Sequence, residues 1–440
     1  MDESERLIRV ATLGTPTGPS PLPLATATGT GRARFVTEDV WVRNRVEVAR
    51  EGGPDPGDEI LFEKAGPRER LFFDPASTKA AVVTCGGLCP GLNSVIRSLF
   101  LELHLGYGVP EVLGIRDGYM GLDPAVGRPP IPLSREFVSR IHTDGGTVLG
   151  SSRGAQDTGR MVDFLEREGI RLLFCIGGDG TLRGAHAIAE EARRRGLPIA
   201  VVGIPKTIDN DIRYCTRTFG FTTAVDLARQ VIHAAHTEAT GAPRGIGLVK
   251  LMGRDAGFIA CGATLASQEV NFTLIPEVPF QLEGEGGLLA ALERRMDERE
   301  HAVIVVSEGA GQNLFGEPAA GGDASGNRRY HDIGPLLKGR IVEHFRTLGS
   351  PVDLKYIDPS YIVRSAAANT EDSFLCDQLA RRAAHAAMSG RTDLVVVGLN
   401  GSFAHVPIPL AVERKRQVDP EGELWGAVLA VTGQPAWLGG

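Results

Sequence analysis

Aromatic side chains are scarce in this chain: Phe, Trp and Tyr together make up 6% of its 440 residues. Little material is left for surfaces that stack on bases. Basic residues are not in excess either, since 47 Lys and Arg stand against 54 Asp and Glu, a formal net charge of -7. Charge therefore does not point to nucleic acid as a partner. No apolar run approaches the roughly 20 residues of a membrane helix, and the opening "MDESERLIRV" lacks the apolar core of a signal peptide. Cysteine is sparse, at Cys85, Cys89, Cys175, Cys215, Cys261 and Cys376, with no C-x-x-C pair. Most of these lie in apolar runs, the pattern of reduced thiols in a cytoplasmic protein. What remains is an ordinary globular composition, 42% hydrophobic and 23% charged, long enough for two core-forming domains.

Residues 1–76 differ from the rest. "GTPTGPSPLPLATATGTG" is rich in Pro, Gly and Thr without periodicity, and "EGGPDPGDEI" is turn-rich, so an extended or partly disordered N-terminal arm is expected. From Lys79 the pattern is regular. The apolar runs "KAAVVTC", "EVLGI", "RLLFCI" and "PIAVVGIP" alternate with helical patterns such as "SVIRSLFLELH" and "RGAHAIAEEARRRG". A second series follows, with "GIGLVKLMG", "NFTLIP" and "HAVIVVSEGA" as strands and "GEGGLLAALERRMDERE" as a solvated helix of mixed charge; "FLCDQLARRAAHAAMSG" and "DLVVVGLNG" make a last helix–strand pair. The predicted fold class is α/β, with two doubly wound, Rossmann-like lobes of mostly parallel sheet plus the N-terminal extension. One lobe covers 77–220 and is completed by part of 365–440. The other covers 221–364, and 365–440 carries the helix–strand segment and a tail.

Gly-marked or Pro-marked loops follow Cys85, Ile176 and Ile204, all at strand carboxyl ends, where open α/β sheets bind ligands. "GGLCPGLN", residues 86–93, is either a plain turn or a loop whose backbone N–H groups approach an anion. Its spacing is neither the dinucleotide fingerprint nor a Walker A loop. "GGDGT" sets Asp179 among glycines. That acid either caps the next helix or holds Mg²⁺ on a nucleotide. In "PKTIDNDI", Asp209 and Asp211 share a face if the segment is extended, and two nearby carboxylates raise one pKa and help make a base. The plain alternative is an Asx turn. Arg153 in "SSRG", Arg244 and Arg254 around "GIGLVKLMG", and Lys355 and Arg364 in "KYIDPSYIVR" supply Gly-flanked or clustered cations suited to phosphate, with the Tyr361 hydroxyl beside them; each Arg alone is more often a surface salt bridge. Glu308 in "VSEGA" either grips sugar hydroxyls or caps a turn. His233 and His236 have helical i, i+3 spacing but no third metal ligand at a suitable distance.

Taken in order, "GGLCPGLN", "RDGYMGL", "GGTVLGSSRG", "IGGDGT", "PKTIDND", "GFTTA", "LMGRDAG", "PEVPF" and "VSEGA" resemble the phosphofructokinase family over roughly residues 73–405. "FEKAGPRERLFFDP" and "KYIDPSYIVR" look like the plant and trypanosomatid type of ATP-dependent enzyme. The resemblance implies a cytoplasmic, glycolytic kinase that transfers the ATP γ-phosphate to the 1-hydroxyl of fructose 6-phosphate with Mg²⁺. Gly87, Tyr119, Gly178, Gly180 and Thr181 would line the nucleotide site, with Arg153 at the transferring phosphate and Asp179 in the Mg²⁺ shell. Asp209 would be the base beside Thr207, with Asp211 in support and Arg254 steadying developing charge. Met252, Gly253 and Glu308 would contact the sugar, and Lys355, Tyr361 and Arg364 its 6-phosphate. Arg244 would come from a neighbouring subunit, which implies a homo-oligomer, a tetramer by preference. No nucleic acid or membrane partner is implied.

Two positions pull in different directions. Lys206 resembles pyrophosphate-dependent relatives, whereas Gly180 stands where those tend to carry an Asp that blocks the nucleotide. The combination looks like the plant and trypanosomatid ATP enzymes. A pyrophosphate-dependent phosphotransferase is the nearest alternative. A lipid or NAD kinase would share only "GGDGT". A non-catalytic sugar-phosphate-binding subunit would be expected to have lost Asp209, Asp179 or Arg254, and all three are present.

Overall fold

The computed structural model describes residues 6–24, 34–47, 59–316, 321 and 329–439. The chain divides into two compact units. The first comprises Met1–Thr207, Ile212–Gly220 and Ala366–Arg414, the second Ile208–Asp211, Phe221–Ser365 and Lys415–Gly440.

The first unit is built on a ten-stranded sheet. Its centre is parallel and runs, side by side, Leu394–Leu399, Ala200–Pro205, Leu172–Gly177, Lys79–Thr84 and Glu111–Ile115. These strands are unbroken apolar runs because both faces are covered: every residue of Leu172–Gly177 and Ala200–Pro205 is buried. The helix Leu92–Leu101 follows the strand Lys79–Thr84, and the helix Asp179–Arg194 follows Leu172–Gly177. The latter buries Leu182, Ala185, Ile188, Ala189 and Ala192, one face at helical spacing. The chain runs from Lys79–Thr84 to its neighbour Glu111–Ile115, then returns to place Leu172–Gly177 on the opposite side. Strand order therefore reverses between Lys79–Thr84 and Leu172–Gly177, and such a switch point opens a crevice at the carboxyl ends of the two strands.

Of the N-terminal extension, residues 1–5, 25–33 and 48–58 lie outside the described residues. Leu7–Ile8 pairs with Leu61–Lys64, which also pairs with Trp41–Arg43 and with Ser402–Pro407. These short pieces widen the first unit's sheet. Their lack of periodicity in sequence reflects strands of only two to four residues.

The second unit holds a four-stranded parallel sheet in the order Phe272–Leu274, Ala302–Ser307, Gly245–Leu251, Asp353–Ile357. The segment expected to be a solvated helix, Leu288–Arg299, instead buries Leu288, Leu289, Ala291, Leu292 and Met296. Its charges occupy the other face, and the apolar residues spaced by three and four form the stripe. All six cysteines are buried, and none of them is in a disulfide. Among the described residues, no helix is long and apolar enough to cross a membrane.

Candidate active site

In the first unit, hydrogen bonds tie the loops at the switch point together. The Cys85 N–H donates to the Ile176 carbonyl (3.0 Å), and the Gly86 N–H to the Ser152 carbonyl (3.1 Å). Ser151 Oγ donates to the Gly86 carbonyl at 2.6 Å. The buried Lys206 donates through Nζ to the Gly87 carbonyl at 2.6 Å, and its N–H donates to the Gly177 carbonyl at 3.0 Å. Lys206 thus braces the "GGLCPG" loop from the strand end that follows the "GGDGT" strand. Gly91 turns the chain into the helix Leu92–Leu101 with φ 101°. A β-carbon there would lie 2.6 Å from Cys376 Sγ, so glycine is required on two counts.

At "GGDGT" the helix begins with Asp179, and Gly178 occupies the cap position without a side-chain cap bond. Asp179 is therefore the first helical residue rather than the cap residue. Gly177 must be glycine because a β-carbon would meet Thr181 Oγ1 at 2.0 Å. Gly180 differs: it is exposed, and a β-carbon there would find nothing within 4 Å. Tyr119 is buried and donates from its hydroxyl to the Thr181 carbonyl at 2.6 Å. It packs against Gly184, so it supports the first turns of this helix from the core side. Arg153 is exposed beside the Ser151–Ser152 loop. One half-exposed carboxylate at a helix N-terminus, next to open space above Gly180, suits Mg²⁺, which keeps water and phosphate oxygens as its other ligands.

The boundary between the two units passes between Thr207 and Ile208, so "PKTIDND" is divided. Pro205, Lys206 and Thr207 belong to the first unit, where the Thr207 carbonyl accepts from Thr218 Oγ1 at 2.6 Å. Asp209 and Asp211 belong to the second. The extended geometry expected for these two acids is not found. Asn210 takes φ 56°, and the stretch turns. Asn tolerates this left-handed conformation better than most residues.

In the second unit the parallel strands Gly245–Leu251 and Ala302–Ser307 end level, with Leu251 opposite Ser307. The residues that follow each strand lie side by side. The Glu308 N–H donates to the Leu251 carbonyl (2.9 Å) and the Gly309 N–H to the Gly253 carbonyl (3.2 Å). Met252, Gly253 and Arg254 therefore adjoin Glu308, and Gly253 has φ 124°. Asp209 joins this group electrostatically. Burial, then the charges of Asp211 and Glu308, push its pKa up to about 8, against the opposing pull of Lys415 and a backbone hydrogen bond from Arg254. Burial likewise raises Glu308, with Arg254, Arg364 and Lys250 pulling the other way.

Two expected members stand apart from this cluster within one chain. Arg244 precedes Gly245 and so sits at the opposite end of the strand from Met252, over the Phe345 ring and 3.6 Å from Asp297. Lys355 is level with Gly247 in mid-strand, exposed, and paired with Asp353 at 2.9 Å. Tyr361 and Arg364 lie on the short helix Ser360–Ser365, where Tyr361 is 83% exposed.

Several residues of this cluster were not singled out from the sequence. Lys415 pairs with Asp211 (2.9 Å) and Asp255 (2.7 Å). Tyr330 donates to Asp255 at 2.7 Å. Glu277, in "PEVPF", accepts from the Gly257 N–H at 2.9 Å and the Val418 N–H at 2.8 Å. Only Asp255 and Glu277 sat within recognisable motifs. His233 and His236 face Glu269, at 2.9 and 3.7 Å. Among the described residues, His186, Glu190 and Asp393 could also converge on a metal. His186 Nδ1 is already 2.9 Å from both Asp393 oxygens, and Glu190 pairs with Arg193 at 2.5 Å.

Known proteins resemble this chain along most of its length. The phosphofructokinase family model matches residues 79–387. The ATP-dependent 6-phosphofructokinase of Borreliella burgdorferi is 48% identical over 412 residues, 92% of this chain and 91% of that protein. The ATP-dependent 6-phosphofructokinase of Trypanosoma cruzi is 47% identical over 376 residues, covering 85% of this chain and 77% of that one. ATP-dependent 6-phosphofructokinase 7 of Arabidopsis thaliana is 45% identical over 426 residues, 96% and 86% respectively. Among solved structures, a pyrophosphate-dependent phosphofructokinase from Marinobacter aquaeolei shares the fold at TM-score 0.67 and 20% identity, over 82% of this chain and 92% of that one. With two mainly parallel α/β units and relatives of this identity along nearly the whole length, the chain belongs to the phosphofructokinase family.

Proposed function

We propose that this protein is an ATP-dependent 6-phosphofructokinase, transferring the γ-phosphoryl group of ATP to the 1-hydroxyl of fructose 6-phosphate. The reading rests above all on Asp209, a carboxylate held beside the Arg254 loop and Glu308, whose proton affinity is raised by burial, Asp211 and Glu308. A raised pKa makes a carboxylate a stronger proton acceptor. In the transfer, the sugar O1 bonds to the γ-phosphorus, the bond to the β–γ bridging oxygen breaks, and Asp209 takes the hydroxyl proton. Arg254 and Arg153 neutralise charge on the transferring group, and Thr207 orients the acceptor hydroxyl. Asp179 would hold Mg²⁺, which when bound offsets phosphate charge. Gly87, Gly178, Gly180 and Thr181 would admit and line the nucleotide, with Tyr119 behind them. Met252, Gly253 and Glu308 would hold the sugar, and Arg364 with Tyr361 its 6-phosphate. Arg244 and Lys355, set apart within one chain, would serve an adjoining subunit's site, which makes the working form a homo-oligomer, by preference a tetramer. The setting would be cytoplasmic glycolysis.

ATP is favoured over pyrophosphate because a side chain is missing at Gly180, where space is open. Lys206 does not oppose this, since its ammonium already braces the Gly87 carbonyl. The test is purified protein with fructose 6-phosphate and either donor. Fructose 1,6-bisphosphate formed with ATP, and at most slowly with pyrophosphate, is the expected result. Turnover only with pyrophosphate overturns the donor, and turnover with neither overturns the kinase.

A further inference from the structure

Lys415 is the first residue of the segment Lys415–Gly440, which returns to complete the second unit. Its ammonium sits between two carboxylates, 2.9 Å from Asp211 Oδ2 and 2.7 Å from Asp255 Oδ2. The residues after it continue the attachment. The Arg416 N–H donates to the Asp211 carbonyl at 2.8 Å. Gln417 Nε2 donates to the Asp255 carbonyl at 3.0 Å. The Val418 N–H donates to Glu277, which also receives the Gly257 N–H. Four consecutive residues thus fasten the Ile208–Asp211 segment to the loop that carries Arg254.

We propose that Lys415 is a positioning residue for phosphoryl transfer: by bridging Asp211 and Asp255 it fixes Asp209 relative to Arg254 and supplies the positive charge that keeps Asp209 able to accept a proton. The inference rests on Asp209 being the base. Asp211, Glu308 and Lys415 act on Asp209 through their charges, the Arg254 backbone N–H donates to it, and Asp255 acts through the lysine. Three of these five are carboxylates. Without the ammonium, the group loses a compensating charge and the loop loses one of its ties. Lys415 itself is strongly held in its charged form, since Asp211 and Asp255 outweigh its desolvation.

Opposite charge changes on the two sides of the bridge test this. Lys415→Met is expected to lower kcat about 10²-fold through misplacement of the base, and to move the acidic limb of the kcat–pH profile up by roughly one unit, the shift that one neighbouring charge produces. Lys415→Arg is expected to restore most of both. Asp255→Asn leaves the lysine charge less divided, so its acidic limb is expected to move down. Acidic limbs that stay at the wild-type pH in both variants, or move the same way, overturn the proposal. If Lys415→Met does not fold, Asp255→Asn decides alone by the direction of its shift. Asp209→Ser is run alongside: near-normal turnover there refutes the base, a failure separate from any behaviour of Lys415.

Discussion

Gly309 approaches the backbone of Arg254 so closely that a β-carbon on it would lie 1.7 Å from the Arg254 carbonyl oxygen. The "SEGA" and "MGRD" motifs, more than fifty positions apart, are therefore one structural unit. Gly309→Ala is expected to push the Arg254 loop away from Glu308. The loss should be seen as a fall in kcat of about 10²-fold together with a lower melting temperature. Wild-type kinetics in this variant would show that the Arg254 loop can shift without consequence.

Gly180 is the contrasting glycine. It is helical, exposed and faces open space, so Gly180→Asp is expected to fold with an unchanged melting temperature. Its kcat/KM for ATP should fall severely, because a carboxylate would then occupy the space left for a nucleotide and repel its phosphates. Steady-state kinetics with ATP measures this, and unchanged ATP kinetics would remove Gly180 from the account of donor choice.

Asp209→Ser is expected to lower kcat by about 10²–10⁴-fold with a modest change in KM, the scale of a lost general base. A second consequence concerns stability. Burial, Asp211 and Glu308 raise the folded-state pKa of Asp209 to about 8, against about 3.9 for an unfolded aspartate. The unfolded chain therefore gives up this proton first, and the folded state loses stability as pH rises from about 4 to about 8. Asp209→Asn removes that loss. Its melting temperature is expected to exceed the wild type's by more at pH 8 than at pH 5, and an equal difference at both pH values would contradict the shift.

The fold was legible wherever strands are long and buried on both sides. "EVLGI" is the strand Glu111–Ile115 residue for residue, and "RLLFCI" and "PIAVVGIP" mark the centre of the large sheet. The N-terminal strands were not legible, because two to four residues cannot display a period. In the candidate site, the glycine and acid loops were visible as departures from apolar strands. Lys415 was not, because "ERKRQ" reads as a solvated basic run, and nothing local shows that its lysine meets Asp211 some 200 positions earlier. The turn at Asn210 stood only as the plain alternative, for a different reason. Alternating acids suggest extension, and a single left-handed residue reverses that geometry without altering the pattern.

The first unit also carries a pH dependence of opposite sense. His405 is fully buried, and burial, Arg391 and Arg68 together lower its pKa to about 4 despite Glu63 3.8 Å away. Burial would raise Glu63, but His405 and Arg391 prevail and hold it at about 2. Unfolded histidine titrates near 6.5 and glutamate near 4.3. Stability is therefore lost from about pH 6.5 down to about 4 through His405, and from about 4 down to about 2 through Glu63. The melting temperature is expected to drop steeply below pH 6.5, with a shallower slope in His405→Gln. Parallel slopes would assign the acid sensitivity elsewhere.

The chain passes between the two units five times, at 207/208, 211/212, 220/221, 365/366 and 414/415. Neither unit is therefore a contiguous stretch that a single cut could release. During synthesis, the first unit lacks two strands of its ten-stranded sheet until residues 366–414 have emerged, and the second waits for 415–440. Domains that are contiguous can fold one after the other on the ribosome. Here residues 366–440 decide whether either half has a finished core, so a chain truncated before residue 366 is expected to leave neither unit complete.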